Sequence, residues 1–238
     1  MKSLFSTFAC ILLAALFAQV SPVSAQTPPN QTDAKPANLP DFLLSPSAKA
    51  AGIDGKMQIG MTISANGKAS DLRIYGGPMW PCGTDPKDEI EKVRKEVKQL
   101  ILSATFEPAT KNGKPVSSDV QITFLLSELF RSAVNTNQIE ENLKKGINPP
   151  LVEIKDLSRF AVSIPKQLIG SRRSNIQRWS EIQVLIDENG NVASAGGFRT
   201  GPGELIEARD LACSAKFKPL LLNNKPVKMT GIIAFGLY

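Results

Sequence analysis

The chain has 238 residues, with 28 Lys and Arg against 22 Asp and Glu, a pI near 9.2 and no histidine. The lack of His removes the commonest general base and the commonest metal ligand, so no cofactor or metal is expected and an enzyme is disfavoured. The basic residues are scattered, with Arg172-Arg173, Lys144-Lys145 and Lys111/Lys114 as pairs at most. That describes a solvated surface and no nucleic-acid partner.

The N-terminus reads as a secretory signal. Lys2 precedes an apolar run from Phe8 to Ala18, and Val23-Ser24-Ala25 is a small-x-small cleavage site. The run is too short for the roughly 20 residues that span a bilayer. Cleavage after Ala25 and export to the periplasm are therefore the expectation, with an uncleaved inner-membrane anchor as the alternative. Residues 26–46, rich in Pro, Asn and Thr, suit an extended or disordered leader.

From Lys49 the pattern becomes regular. Met57, Ile59, Met61 and Ile63 alternate with small or polar residues, as in a half-buried strand. Asn66-Gly67 supplies a hairpin turn, and Leu72 and Ile74 mark the return strand. A Gly/Pro-rich loop, GGPMWPCGTDP, follows; Thr84 or Asp85 is placed to cap a helix that has Pro86 in its first turn. Ile90, Val93, Val97, Leu100, Ile101 and Ala104 then form one helical stripe, which ends before Pro108. Asn112-Gly113-Lys114-Pro115 makes a turn, and Val120, Ile122, Phe124 and Leu126 alternate as a third strand.

The same pattern returns. FEPATKNGKPV at 106–116 is echoed by FKPLLLNNKPV at 217–227, an offset of 111 residues. An offset of 123 aligns Ile182, Val184 and Ile186 with Ile59, Met61 and Ile63, and Asn189-Gly190 with Asn66-Gly67. The offsets differ by 12, an insertion falling in and around the GGPMWPC loop. A repeat that keeps side-chain phase indicates duplication. The expected fold class is α+β: two repeated units, at 47–127 and 161–238, each an antiparallel three-stranded sheet covered by one helix in β-β-α-β order. Between them, 128–160 is a linker with a short helix at NQIEENLKK. A lone three-stranded sheet leaves an edge that the other unit, the linker or a partner must manage.

Several motifs read as coincidence. Gly201-Pro202-Gly203 lacks the third glycine of a dinucleotide loop, Asp187–Asn191 is better read as a hairpin turn than a calcium loop, and Pro165 interrupts Ser163-x-x-Lys166. A hydrolase would need a pocket lined by paired carboxylates, such as Asp71 or Glu181. Cys82, in the inserted loop, and Cys213, late in the second helix, are a candidate disulfide in an oxidising compartment; burial of Cys213 as a small apolar residue is the alternative. Met79 and Trp80 are candidate partner contacts in the loop, though Trp80 could equally cap the first core and Trp179 the second.

A strand ending in a short Gly turn, then a helix, Phe-x-Pro, Asn-x-Lys-Pro-Val and a final alternating strand resembles the C-terminal domain of the TonB family. SANGKASDLRI, SATFEPATKNGKPV and DVQITFLL carry the resemblance in the first unit; DENGNVASA, SAKFKPLLLNNKPV and GIIAFGLY carry it in the second. It implies a periplasmic protein-interaction module that engages peptide segments of outer-membrane receptors by adding a strand to its sheet. The implied docking edges are the final strands, through Gln121 and Thr123 or Lys228 and Thr230. A membrane-anchored energy transducer for outer-membrane transport and a structural or self-dimerising envelope protein are the alternatives. The short leader and the duplication both depart from an energy transducer.

Overall fold

The computed structural model describes residues 30–165, 178–199 and 205–237. The signal-like segment, residues 26–29, Lys166, the Gly201-Pro202-Gly203 stretch and the side chain of Trp179 lie outside the described residues. No described helix is long and apolar enough to cross a membrane.

The first sheet contains β1 (Lys56–Ile63), β2 (Ala69–Gly76) and β3 (Ser118–Leu125), in the order β2-β1-β3 and antiparallel throughout. The apolar phase of β1 turns Met57, Ile59, Met61 and Ile63 to one face. There they meet Ile90, Val93, Val97 and Ile101 of helix α1 (Lys87–Ser103), and all eight side chains are buried. Neither Thr84 nor Asp85 caps α1; Pro86 holds the cap position without a side-chain hydrogen bond. Thr84 is instead drawn into the preceding loop, where its hydroxyl donates to the Pro81 carbonyl at 2.9 Å and its own carbonyl accepts from Trp80 Nε1 at 3.1 Å.

The second sheet is built around β5 (Arg178–Ile186), β6 (Val192–Arg199) and β7 (Lys225–Leu237), in the order β6-β5-β7 with antiparallel pairing. Helix α2 (Leu205–Ser214) covers it through Ala208 and Ala212, at the positions that Val97 and Ile101 hold in α1. This sheet is not the expected lone three-stranded one. Among the described residues it has seven strands, because the inserted loop adds Trp80–Pro81, the linker adds Val134–Asn135 and Leu151–Glu153, and Leu220–Leu222 folds back on the start of β7.

The twice-written phrase has the same job in both places. Phe106 N–H donates to Gly67 O at 3.0 Å, and Phe217 N–H donates to Gly190 O at 2.9 Å, tying the end of each helix to the turn of each hairpin. The approach leaves no room on the glycines: a Cβ would stand 2.1 Å from Phe106 O at Gly67 and 1.9 Å from Phe217 O at Gly190. Asn112 and Gly113, and likewise Asn223 and Asn224, all have positive φ. Asn and Gly tolerate that conformation, which two-residue hairpins of this hand require.

The leader is extended but not disordered over its described part. Gln31–Thr32 pairs with Ala109–Lys111, Lys35–Asn38 pairs with Thr105–Glu107, and Phe42 and Leu44 are buried in the first core. In the linker, the short helix spans Ile139–Lys144. The following segment provides β4 (Leu151–Glu153), a 3-10 turn at Leu157–Phe160 and a short strand, Ala161–Ser163, that pairs with Lys216–Phe217.

Candidate docking edge

An unpaired strand edge offers a row of backbone donors and acceptors to another chain. The antiparallel three-stranded cores of the two sheets are flanked by β2 and β3 in the first and by β6 and β7 in the second, and the surroundings of these four strands differ.

The edge of β7 is occupied. β4 runs parallel to it with Leu151 opposite Lys228, Val152 opposite Met229 and Glu153 opposite Thr230, and Ile154 N–H donates to Thr230 O at 2.8 Å. Thr230 is 1% exposed, and its hydroxyl donates to Val184 O. Lys228 and Thr230 are thus not open docking positions: the linker fills their edge with Leu151 and Val152, both fully buried.

The edge of β6 is occupied by the inserted loop. Gly77 N–H donates to Gly197 O, Trp80 lies opposite Ala195, and Cys82 N–H donates to Ala193 O. Met79 and Trp80 are 0% and 5% exposed, so these candidate contact residues serve the interior and not the surface. Trp80 packs into the first core, whereas Met79 joins Phe130, Leu151 and Leu185 between the units. Cys82 and Cys213 are joined by a disulfide. Four residues before Cys213, and so on the same face of α2, Arg209 grips the same loop. Its guanidinium donates to the carbonyls of Trp80 (3.0 Å), Pro81 (2.6 Å) and Ala195 (3.1 Å) and lies over the Trp80 ring.

Sequence reasoning missed Arg209. The available signal was a cation one residue from Ala208 and three from Ala212, inside an otherwise apolar stripe. A buried charge needs partners, and here they are main-chain carbonyls that no residue pattern reveals.

The edge of β2 is irregular. Its register against β1 shifts twice, and Asp71 sits at φ 51° within the second shift. Bulges of this kind blunt an edge against pairing. Asp71 lines an open pocket on the first sheet together with Asp119, whereas Glu181 lies on β5 of the second sheet.

β3 differs from all three. Its register to β1 is continuous over all 8 residues, and its other side pairs with no strand among the described residues. Leu126 N–H donates to Gly55 O at 2.9 Å, which continues that register and fixes its parity. Antiparallel partners alternate between bonded and unbonded pairs. Val120, Ile122 and Phe124 therefore direct their N–H and C=O groups at β1, and Asp119, Gln121 and Thr123 direct theirs outward. The side chains of Asp119, Gln121 and Thr123 are also exposed. Two of these three, Gln121 and Thr123, are the first-unit positions singled out from the sequence.

The edge has a defined end. Arg131 Nη2 donates to Phe42 O at 2.8 Å and to Leu125 O at 3.5 Å, while Nη1 pairs with Glu128. Beside it, the Asp54 carboxylate accepts from the Ser127 hydroxyl and from Gly55 N–H. Burial raises the Asp54 pKa above its ordinary value, an effect that the Ser127 and Gly55 hydrogen bonds and the charge of Lys228 only partly offset.

No protein-family model matches the chain, and no curated protein matches it. Among solved structures, it is similar to the solution NMR structure of the Pseudomonas aeruginosa TonB C-terminal domain. The identity is 26%, over 40% of this chain and 87% of that one, with a TM-score of 0.28. The chain itself is a mixed α+β protein dominated by strands.

Proposed function

We propose that this is an exported, non-enzymatic protein of the bacterial envelope, made of two TonB-C-like units, in which the first unit captures an extended protein segment by adding it as a strand beside β3. The observation that carries this reading is the row of outward backbone groups at Asp119, Gln121 and Thr123 on a regular edge strand, while β7 and β6 are occupied within the chain and β2 is bulged. Strand addition draws affinity from such main-chain hydrogen bonds and specificity from alternate side chains. The reading of two copies is supported by the matching Gly67–Phe106 and Gly190–Phe217 contacts and by Pro36 opposite Phe106 where Ala161 stands opposite Phe217.

The test is a titration of the 15N-labelled chain with synthetic peptides taken from the periplasm-facing N-termini of outer-membrane receptors. The reading expects amide shifts centred on Asp119–Thr123 and their loss in Gln121→Pro, which deletes an outward N–H without removing a bond to β1. Shifts that leave β3 untouched would overturn it. So would a β3 edge already paired with a second copy in the peptide-free protein, which would favour the dimerising alternative.

A further inference from the structure

The inserted loop is fastened unevenly along its length. From Gly76 to Trp80 it is buried, with Met79 and Asp54 exchanging backbone hydrogen bonds at 2.8 and 2.9 Å. Arg209 holds its middle through the Trp80 and Pro81 carbonyls. Beyond Pro81 the hold thins. Cys82 keeps one backbone bond to Ala193, both cysteines are half-buried, and Gly83, Thr84 and Asp85 are exposed. At that end the loop is tied to the second unit by the Cys82–Cys213 bond, by that hydrogen bond, by the packing of Cys82 on the second core and by the attraction between Asp85 and Arg209.

We propose that the Cys82–Cys213 disulfide is a redox-sensitive latch on the joint between the two units: its reduction frees the Cys82 end of the loop from β6 and opens the Ala193 end of that edge, while the Gly77–Trp80 stretch stays in place. The reductant is a protein or small-molecule dithiol acting by thiol–disulfide exchange. Its first thiolate attacks one protein sulfur and expels the other as a thiolate. Its second thiolate then resolves the mixed disulfide. Two electrons and two protons reach Cys82 and Cys213, which become thiols, and the dithiol leaves as a disulfide. Both cysteines are half-buried, at the thinly held end of the loop, which is where an attacking thiolate would approach. The uneven fastening makes the opening local, because Arg209 and the buried Met79–Trp80 pair hold the loop upstream of the broken bond.

The experiment is amide hydrogen exchange on the full chain, read residue by residue, with and without dithiothreitol, and on Cys82→Ser without reductant. Exchange of the Cys82 amide is expected to accelerate at least about tenfold on reduction and in the variant, with the Gly77 and Ile59 amides unchanged, as for a sub-global opening. An unchanged Cys82 amide in the reduced chain would show that backbone pairing and Arg209 suffice, and would overturn the latch. Acceleration of Cys82, Gly77 and Ile59 together would also overturn it, since the bond would then be a staple of the whole fold.

Discussion

The guanidinium of Arg209 lies 4.3 Å from the centroid of the Trp80 ring while its Nη2 donates to the carbonyl of that same residue. One side chain of the second unit thus satisfies both the ring and the backbone of a loop from the first. Arg209 is 4% exposed, and the adjacent Asp210 lies 3.5 Å from its Nη1. Its charge is met by the carbonyls of Trp80, Pro81 and Ala195 together with the carboxylates of Asp210 and Asp85. Replacement by Met is expected to cost about 3 kcal/mol, as buried carbonyls lose their donor. Lys should recover less than half of that, since an ammonium cannot reproduce the planar fork. Urea denaturation of the two variants measures both.

Gly67 and Gly190 should be the least replaceable turn residues. Each has positive φ, at 72° and 84°, and each lies against a backbone carbonyl. Ala at either position is expected to destabilise by about 2 to 4 kcal/mol, combining strain with displacement of main chain. Gly113 has a similar φ of 74° but open space around it, so Gly113→Ala should cost only about 1 kcal/mol. Equal losses at Gly67 and Gly113 would show that backbone conformation alone matters.

The leader should contribute to folding. Phe42 is buried in the first core and meets Phe124 edge-to-face at 6.4 Å. Phe42→Ala is expected to cost about 3 kcal/mol, the usual penalty for such a truncation. A Phe42→Ala midpoint equal to that of the unaltered chain would return residues 30–45 to the status of a passive tail.

Asp54 gives a pH signature. Its folded-state pKa is raised above 3.8 chiefly by burial, so the folded chain holds the proton more tightly than the unfolded one. Stability from this group is present in acid and is lost as pH rises from 3.8 through the raised folded value. At neutral pH the ionised carboxylate is a net cost. Asp54→Asn should therefore be more stable than the unaltered chain at neutral pH, and the difference should vanish below pH 3.8. The reverse ranking at neutral pH would mean that Ser127 and Lys228 outweigh burial.

Much of each unit was legible in its residues. The alternation of Met57, Ile59, Met61 and Ile63 and the stripe of Ile90, Val93, Val97 and Ile101 place strand and helix correctly, because period and burial are local properties of a chain packed on one face. The helix cap is not the one the sequence suggests, because the Thr84 hydroxyl is taken by the Pro81 carbonyl. The leader is extended as one of its two expected forms, but its low apolar content hides two well-placed anchors, Phe42 and Leu44. Of the proposed edge positions, Gln121 and Thr123 stand on an open strand, whereas Lys228 and Thr230 do not.

The sequence by itself determined the hairpin turns, the helix faces and the repeated phrase that ends each helix and opens each last strand. Each depends on residues close along the chain or on a pattern written twice. Only the tertiary structure decided which strand edges remain open. That outcome rests on long-range pairing: the 77–82 loop on β6, Leu151–Glu153 on β7, and Arg209 across both units. Apart from the Arg209 guanidinium, backbone groups make those pairings, and backbone groups are the same in every residue but proline, so the side-chain pattern carries no record of which edge they fill.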